Sequence, residues 1–369
     1  MTCRSIIDDP RFYRESRPEF VRLHDDLIKS LDKPDSLWNR AAMSTSQADP
    51  LSCRTEIALT CHESFRRGEQ LYLKQSADSL IVFTLGKDGI CPIFLPVESN
   101  WYFGSPLLGP DAIDLLDSAL GEINRGRVTW LRPAEFYISG LRSGGRLFRS
   151  LKKRFSARYD FSLDIQRILS VASLEDGLDG YLSRRSSNHR RNLKKLANRA
   201  VRSGVCFERH VPTTYFEIDE LHARMATVAR NSWRGLAGIG QLGSTSYGFT
   251  YKLLWRLALA GAARVIFARH EGRDIGYIFG GMAGDIYHGH QFSFVADWYK
   301  ASIGNLLQLE QIRWLCEEGA SRYDMGPLMD YKRRWAEKQL NIETWVLAPK
   351  RFPAWLASGL PDASSGEQR

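Results

Sequence analysis

Two stretches of the chain alternate short apolar runs with polar turns, as strands of antiparallel sheets do. In the first stretch, the runs Ser79–Leu85 and Ile90–Val97 flank an Asp-Gly turn, a dipeptide that favours tight hairpins. In the second stretch, polar segments separate the runs Ala263–Arg269, Ile275–Met282 and Ile286–Val295. The pattern predicts one β-hairpin in the first half of the chain and three consecutive strands in the second half.

Each set of strands is followed by a helical pattern and then by one more strand. Gly109 opens the first helix, after which comes the apolar run Val128–Leu131. Gly304 opens the second helix, which ends at Gly319 and is followed by the run Ser321–Met325. The same order over nearly equal lengths indicates an internal duplication. We therefore predict an α/β fold of two related units, each a mixed sheet flanked by helices, facing each other across a cleft.

A chain of 369 residues is longer than a domain with a single hydrophobic core usually is, and its length suits two domains. We divide the chain into a helical lead-in (1–45), a first unit (46–165), a second unit (166–350) and a polar tail (351–369). Further amphipathic helices are predicted at 174–182, 188–201, 216–232 and 247–260.

The net charge of +9 is concentrated in one place. Between Gly180 and Phe207 there are eight Lys or Arg residues and no acid. Such a run can form a solvated helix face, contact the phosphates of a nucleotide-like ligand or of an anionic acceptor, or bind tRNA. The stretch lacks the interleaved aromatic residues that base stacking uses, so tRNA is the less favoured partner.

No apolar run approaches the length of a membrane helix, so we expect no membrane insertion. Residues 1–11 include two acids and a proline and do not form the apolar core of a signal peptide. The six cysteines are scattered without a paired motif, which suits free thiols in a reducing cytoplasm and argues against a structural zinc site. The sequence thus predicts a cytoplasmic protein.

The loop before the second duplicated helix is a candidate anion site. A strand that runs through small residues into a helix leaves several backbone N–H groups without partners at the helix start, where the helix dipole also favours an anion. The candidate binding residues are Lys300, Ser302, Ile303, Gly304 and Asn305. The alternative is an ordinary turn in which Ser302 caps the helix.

Several short motifs lie around this loop. They are the basic segment Asn188–Lys195, Asn231–Trp233, Ser302–Gly304, Tyr323–Gly326 (YDMG) and Tyr331–Trp335 (YKRRW). With the order of elements described above, they resemble the GNAT acyltransferases, and more closely the bacterial CelD-like (BioF2-like) acetyltransferases and the related tandem Fem-type aminoacyl transferases. The first half, at 101–109, resembles the degenerate N-terminal repeat of such tandem proteins.

This resemblance implies that the loop holds the pyrophosphate of coenzyme A and that acyl-CoA, with acetyl-CoA as the expected form, is the co-substrate. One departure bears on the donor. Many GNAT proteins have Arg or Gln three residues before the loop glycine, whereas this chain has Ala301 there and Asn305 after Gly304. The loop therefore matches the CelD-like version, and the identity of the donor stays open.

Acyl transfer to an amine needs a base, a group that stabilises the oxyanion, and an acid for the leaving thiolate. Asp324, at a strand end, is a candidate for orienting the amine, or else it caps a turn. Lys332 matches the lysine that is thought to steady the acyl carbonyl in Fem-type enzymes, or else it is a surface residue beside two arginines. Tyr331 or Tyr323 could protonate the thiolate, although tyrosines here are common packing residues.

His288 and His290 alternate along one strand, so their side chains point to the same face. Either is a candidate base if that face borders the cleft, and we select His290. A structural role is the alternative for both. A metal would need a third ligand that the sequence does not offer, so we predict none.

These residues favour an enzyme that transfers an acyl group, in particular acetyl, from acyl-CoA to an amine of a small or polysaccharide-linked acceptor. One alternative is a tRNA-dependent aminoacyl transferase of the Fem type, for which the basic helix would be the discriminating feature. The other alternative is a non-catalytic module whose cleft binds a protein.

Overall fold

The computed structural model describes residues 20–44, 47–88, 91–125, 134–238 and 244–350. Residues 1–19 of the predicted lead-in, the predicted strand Val128–Leu131 and the predicted tail 351–369 lie outside these ranges.

The first part of the chain forms a small sheet with helices on it. Its elements are β1 (Phe20–Val21), α1 (Asp26–Leu31), α2 (Leu37–Ser44), α3 (Pro50–Cys53), α4 (Thr55–Phe65), β2 (Leu71–Gln75), β3 (Leu80–Asp88), β4 (Cys91–Pro96), β5 (Leu107–Leu108), α5 (Ala112–Arg125), β6 (Glu135–Arg142) and α6 (Arg146–Phe155). The predicted hairpin is confirmed as β3 and β4, and the predicted helix as α5. The sequence pattern did not predict β2.

The second part repeats this order after a long strand and two helices. Its elements are β7 (Tyr159–Ser173), α7 (Gly177–Ser183), α8 (Ser187–Arg202), β8 (Cys206–His210), α9 (Tyr215–Arg230), α10 (Trp233–Leu236), α11 (Ser244–Leu259), β9 (Ala263–His270), β10 (Arg273–Ala283), β11 (Ile286–Phe294), α12 (Ile303–Glu317), β12 (Arg322–Pro327) and β13 (Lys338–Pro349). The predicted strands and helices of this part are confirmed to within a few residues.

The duplication is visible in the strand pairing. In the first unit β3 and β4 are antiparallel, and β6 returns through α5 to pair parallel with β4. In the second unit β10 and β11 are antiparallel, and β12 returns through α12 to pair parallel with β11. The α/β class and the two related units are thus confirmed.

The two units share one continuous sheet in the order β1-β2-β3-β4-β6-β13-β7-β12-β11-β10-β9-β8. β13 follows β12 in the chain yet pairs with β6 of the first unit, and β7 follows β6 yet pairs with β12 of the second. β13 and β7 pair with each other along all of β13. When β7 is counted as the last strand of the first unit and β13 as the last strand of the second, the units exchange their last strands. This non-local arrangement could not be read from the local sequence pattern. Because β7 spans the predicted boundary at residue 165, that division stays a prediction.

Helix α12 lies at the centre of the second unit because it is apolar on most of its surface. Ile303 and Leu307 pack toward β9 and β10, and Ile312 and Leu315 pack toward β12 and Tyr181 of α7. Such a helix is stable only when it is covered on several sides. Its buried position fixes where its amino-terminal end meets the end of β11.

Candidate functional site

β11 and β12 pair only over three residues and then diverge. Their register runs from Ile286 opposite Arg322 to His288 opposite Asp324, while β11 continues to Phe294. A cavity of about 140 Å³ lies beside this divergence. It is lined by Ser52, Trp101, Phe103, Ile278, His288, Gly289, His290, Gln291, Phe292, Gln308, Tyr323, Met325, Pro327, Tyr331 and Lys332.

Lys332 is the cationic side chain of the cavity. It lies in a 3-10 turn at Asp330–Arg334, where its side chain is turned inward and is 7% exposed. Its ammonium group donates hydrogen bonds to the carbonyl oxygens of Met325 (2.5 Å) and Pro327 (2.8 Å), at the end of β12. Burial lowers the pKa of Lys332 to about 8. At neutral pH the cavity therefore contains a poorly solvated positive charge.

His288 forms an ion pair with a residue of the first unit. Its Nδ1 atom lies 2.7 Å from Oδ2 of Asp49. The same carboxylate accepts hydrogen bonds from Ser52, at Oδ1 from the backbone N–H and at Oδ2 from the hydroxyl group. Burial opposes the charged form of His288, but the Asp49 carboxylate outweighs it and raises the pKa of the imidazole. Burial also opposes ionisation of Asp49, yet the charge and hydrogen bond of His288 lower its pKa to about 2. This carboxylate–histidine dyad borders the cavity.

Asp324 is fully buried beside the dyad and does not line the cavity. Its two carboxylate oxygens lie 2.7 and 2.8 Å from the guanidinium group of Arg322, which also donates to the carbonyl of Ala48. Burial, followed by the nearby Asp49 charge, raises the pKa of Asp324 to about 6. The position of Asp324 favours a supporting role behind the cavity over the predicted contact with the amine, which stays a prediction.

Asp49, His288 and Asp324 offer ligand atoms within 4.8 Å of one another, so the fold supplies the further metal ligands that the sequence analysis did not find. Two of these residues already have strong partners, since Arg322 engages both oxygens of Asp324 and Ser52 engages Asp49. Two carboxylates facing one guanidinium and one imidazolium form a charge-balanced cluster. The geometry therefore favours an ion-pair network at this position.

His290 and Tyr331 both line the cavity. The ring of His290 lies 4.9 Å from that of His288, and burial, with the charge of His288, lowers its pKa to about 3. Its role as base stays a prediction, and the carboxylate partner makes His288 the stronger candidate. Tyr331 is 40% exposed and its ring contacts Phe292 at 5.5 Å; burial raises its pKa, so the phenol stays protonated.

The candidate anion site keeps its free amide groups. The first hydrogen bond of α12 runs from the N–H of Asn305 to the carbonyl of Ser302, so the N–H groups of Ile303 and Gly304 precede the helical bonding pattern. Ser302 has a left-handed φ of 58° and forms no side-chain cap, contrary to the capping alternative. Lys300 is exposed, and the first turn of α12 contains no acid.

Gly304 allows this helix end to approach β11 closely. A β-carbon at this position would lie 3.1 Å from the ring of Phe294 and 3.2 Å from that of Phe292. A side chain at residue 304 would thus displace the aromatic residues at the mouth of the cavity.

The basic stretch forms α8, whose apolar side, including Leu196, Ala197 and Ala200, belongs to the same core cluster as Ile303 of α12. Its outer face carries five exposed cations for which the described ranges contain no ion pair. They are Arg191, Lys194, Lys195, Arg199 and Arg202. A cationic surface therefore lies on the helix that packs beside the candidate anion site.

Four cavity or dyad residues come from the first unit and were not selected from the sequence. They are Asp49, Ser52, Trp101 and Phe103. In the sequence the segment Asp49–Ser52 resembles only the start of a helix, and in the structure Asp49 is indeed the N-cap of α3. The motif at 101–109 was noted for its resemblance to a degenerate repeat, but nothing local shows that it faces the second unit.

The comparisons with known proteins agree with this architecture. Residues 187–333, less than half of the chain, match the family described as acetyltransferase (GNAT) domain. This stretch of the chain is therefore similar to a GNAT domain, and it includes the α12 loop, the dyad histidine and Lys332. No curated protein sequence matches the chain.

Solved structures share the fold over most of the chain. A conserved protein of unknown function from Bacteroides thetaiotaomicron is 12% identical with a TM-score of 0.60, covering 90% of this chain and 100% of that one. FemX is 11% identical with a TM-score of 0.59, covering 83% and 94%. The C-terminal domain of a putative lysylphosphatidylglycerol synthetase from Agrobacterium fabrum is 14% identical with a TM-score of 0.51, covering 87% and 93%. At these identities the similarity concerns the fold.

Over the residues described, none of the helices combines the length and the apolar character that a bilayer crossing requires.

The dyad gives a prediction that does not depend on activity. In Asp49→Asn the imidazole of His288 loses its carboxylate partner, so we expect its pKa to fall below that in the wild type. Because the folded-state pKa of His288 is raised, the stability that the pair contributes is present at low pH and declines as the pH rises through that pKa. The titration is measured by NMR on the histidine ring protons, with the exposed Asp160→Asn as control. An unchanged His288 titration in Asp49→Asn contradicts the assignment.

Proposed function

We propose that this protein transfers a small acyl group, in particular acetyl, from acyl-CoA to an amine. The observation that carries the proposal is the buried ammonium group of Lys332, which borders the cavity where β11 and β12 diverge. This cation donates hydrogen bonds to two carbonyl oxygens, lies near the ring of Tyr331 and is available to a developing negative charge. The N–H groups without backbone partners at the start of α12 follow the end of β11, one of these two strands.

The residues before and at the start of α12 suit the pyrophosphate of the donor. Ile303 and Gly304 offer N–H groups, the helix dipole places about half a positive charge there, and Lys300 adds a mobile cation. The donor would extend from this loop along the diverging strands toward the cavity. A cavity of about 140 Å³ suits a small acyl group better than a long one.

The chemistry follows from the positions of three side chains. The amine nitrogen attacks the thioester carbonyl, a C–N bond forms, and the C–S bond then breaks to release the thiolate of coenzyme A. Lys332 stabilises the oxyanion of the tetrahedral intermediate. In its neutral form, His288 is held by Asp49 and accepts the proton that the amine loses, and Tyr331 donates its phenolic proton to the thiolate; the resulting imidazolium and phenolate then exchange protons with solvent.

His288 fits the role of base because the Asp49 carboxylate both orients the ring and favours its protonated form. His290 has no such partner among the described residues, and its low pKa makes it a weak base. It could instead hold the acceptor through a hydrogen bond. The acceptor would be a small or saccharide-linked amine, and an acyl-CoA donor together with scattered thiols is consistent with a cytoplasmic location.

A second candidate is aminoacyl transfer from tRNA, favoured by one observation. The five exposed cations of α8 have no acidic partner in the part of the chain that the structure describes, and α8 packs beside α12. Unpaired cations on one helix face bind phosphate backbones. The solved structure of FemX shares this fold.

Replacing Lys332 tests the oxyanion role. Lys332→Met keeps the length of the side chain but removes its charge, so we expect kcat to fall about 10²- to 10³-fold, as for the loss of an oxyanion donor. In the wild type, kcat should also decline as the pH rises above about 8, where Lys332 loses its proton, and Lys332→Met should lack this decline. Release of coenzyme A from acetyl-CoA in the presence of glucosamine is the measurement, with the exposed Lys338→Met as control. Equal rates for wild type and Lys332→Met would exclude this role.

The donor is tested by calorimetric titration with acetyl-CoA. We expect micromolar binding by the wild type and none by Gly304→Glu, because the new side chain would meet Phe292 and Phe294 and place an acid at the anion site. Gly248→Glu is a matched control on α11, since a β-carbon there has no neighbour within 4 Å. No binding by the wild type would exclude acyl-CoA. RNase-sensitive activity with aminoacyl-tRNA would then support the second candidate.

A further inference from the structure

The first unit contains a segment equivalent to the loop before α12, where we place the donor. In the second unit, residues 295–302 connect β11 to α12, and in the first unit residues 97–111 connect β4 to α5. The equivalence follows from the pairing, since β4 and β6 are parallel neighbours as β11 and β12 are. A duplicated unit would thus be expected to have its own anion site in residues 97–111.

That segment already contains an acidic group, the carboxyl of Glu98; burial raises its pKa to about 7, and the backbone hydrogen bonds from Trp101, Gly104 and Phe103 favour its ionised form. Oε1 accepts hydrogen bonds from the backbone N–H groups of Asn100 (3.1 Å) and Trp101 (2.7 Å). Oε2 accepts from those of Phe103 (2.8 Å) and Gly104 (3.1 Å). Four convergent N–H groups form the kind of concavity that binds phosphate oxygens. Glu98 is 2% exposed, so its own carboxylate fills this concavity.

The helix that follows is also unsuited to an external anion. Asp111 precedes α5, Asp114 lies in its first turn, and the N–H of Asp111 already donates to the hydroxyl group of Ser79 (2.7 Å). Acids at a helix start compete with any anionic ligand for the helix dipole. The first turn of α12 contains no acid.

Glu98 holds its loop in a conformation that needs support. Tyr102 has a left-handed φ of 62°, which is unfavourable for a residue with a side chain. A β-carbon on Gly104 would lie 2.3 Å from the carbonyl oxygen of Ser52, so the loop is pressed against α3. The hydroxyl group of Ser139 on β6 donates to the carbonyl of Gly104. The four bonds to Glu98 are therefore part of a tightly fixed loop.

The fixed loop forms one wall of the cavity in the second unit. Trp101 and Phe103 both line that cavity. The ring of Phe103 lies 6.4 Å from that of His288, the proposed base, and the ring of Trp101 lies 5.5 Å from that of Phe249 on α11. Aromatic faces next to a base suit an amine that arrives as an ammonium ion, because a cation is attracted to the face of an aromatic ring.

We infer that the side chain of Glu98 occupies the anion site of the first unit and thereby closes it to ligands. Glu98 also fixes residues 98–104, which form the wall of the second-unit cavity that faces the amine. The chain then binds one donor molecule, at α12, and Trp101 and Phe103 set which amines reach His288. Glu98 acts as a positioning residue through this loop. The inference rests on the proposed function for the identity of the amine, but not for the closure of the first-unit site.

Closure is tested without any activity. In Glu98→Gln, an amide replaces one carboxylate oxygen by a donor, so two of the four N–H groups lose their acceptor. We expect amide hydrogen exchange in 100–104 to become at least tenfold faster. The exposed Glu175→Gln should leave it unchanged. Unchanged exchange in Glu98→Gln overturns the role of Glu98.

Donor stoichiometry is the second readout. Native mass spectrometry at saturating acetyl-CoA should show one molecule for each chain in the wild type, and none in Gly304→Glu. Two molecules in the wild type, or one retained by Gly304→Glu, overturns the closure of the first-unit site. If the wild type binds none, the proposed function fails while hydrogen exchange still decides the role of Glu98.

The wall is tested by amine selectivity. With methylamine and glucosamine as probes, Trp101→Ala should change the ratio of their kcat/KM values at least tenfold, while the KM for acetyl-CoA stays within twofold of the wild type. Glu98→Gln should shift the same ratio through the loosened loop, and Glu175→Gln should not. A uniform loss of activity with an unchanged ratio contradicts the assignment of the wall. Because a partly unfolded variant would lower the rates with both amines alike, the folded fraction of each variant is measured by circular dichroism and the rates are compared per folded enzyme.

Discussion

The backbone hydrogen bonds between β7 and β13 hold the two units in a fixed relation. Each of these strands belongs in sequence to one unit and pairs at its outer edge with the other, so the exchange removes two free sheet edges at once. A linker would leave the units free to move, whereas a ladder along all twelve residues of β13 does not. Phe103 of the first unit packs directly on this junction, in one cluster with Val171 and Ile342. The positions of the first-unit residues in the cavity depend on this ladder.

The ladder holds the two units in fixed positions, so that charged side chains from both can pair accurately in a buried cluster. Asp49 comes from a short helix of the first unit, whereas His288, Asp324 and Arg322 lie on strands of the second. Burial of each charge alone would cost several kcal/mol, and only accurate pairing offsets this cost. Rigid placement of Asp49 against His288 therefore serves both stability and the orientation of the imidazole. It also links folding of the first unit to the chemistry of the second.

The sequence predicted the elements whose local periodicity is strongest, although it missed short strands such as β2. The strands β9 to β11, helix α12 and the duplication were readable because apolar spacing reports them directly. The pairing of β13 with β6 was not readable, since it joins distant segments that carry no mutual signal. Lys332 illustrates a second limit: in the sequence it stands beside two arginines and resembles a charged face, yet a 3-10 turn buries it while Arg333 and Arg334 stay exposed. Asp49 illustrates a third, because its partner His288 lies in the other half of the chain.

The duplicated fold has two equivalent strand–loop–helix connections. They differ in charge, because acidic side chains lie in the connection of the first unit and none lies in the first turn of α12. Four backbone N–H groups that converge in a buried loop need an acceptor, and leaving them without one would be costly. In the first unit a carboxylate of the chain itself is that acceptor, which stabilises the loop but leaves no room for a ligand. In the second unit the first turn of α12 contains no acid, so its N–H groups remain available to an external anion. The same physical requirement is met internally in the first unit, and in the second unit we propose that a ligand meets it. The first unit could therefore lose a binding site and still contribute aromatic side chains to the site of its partner unit.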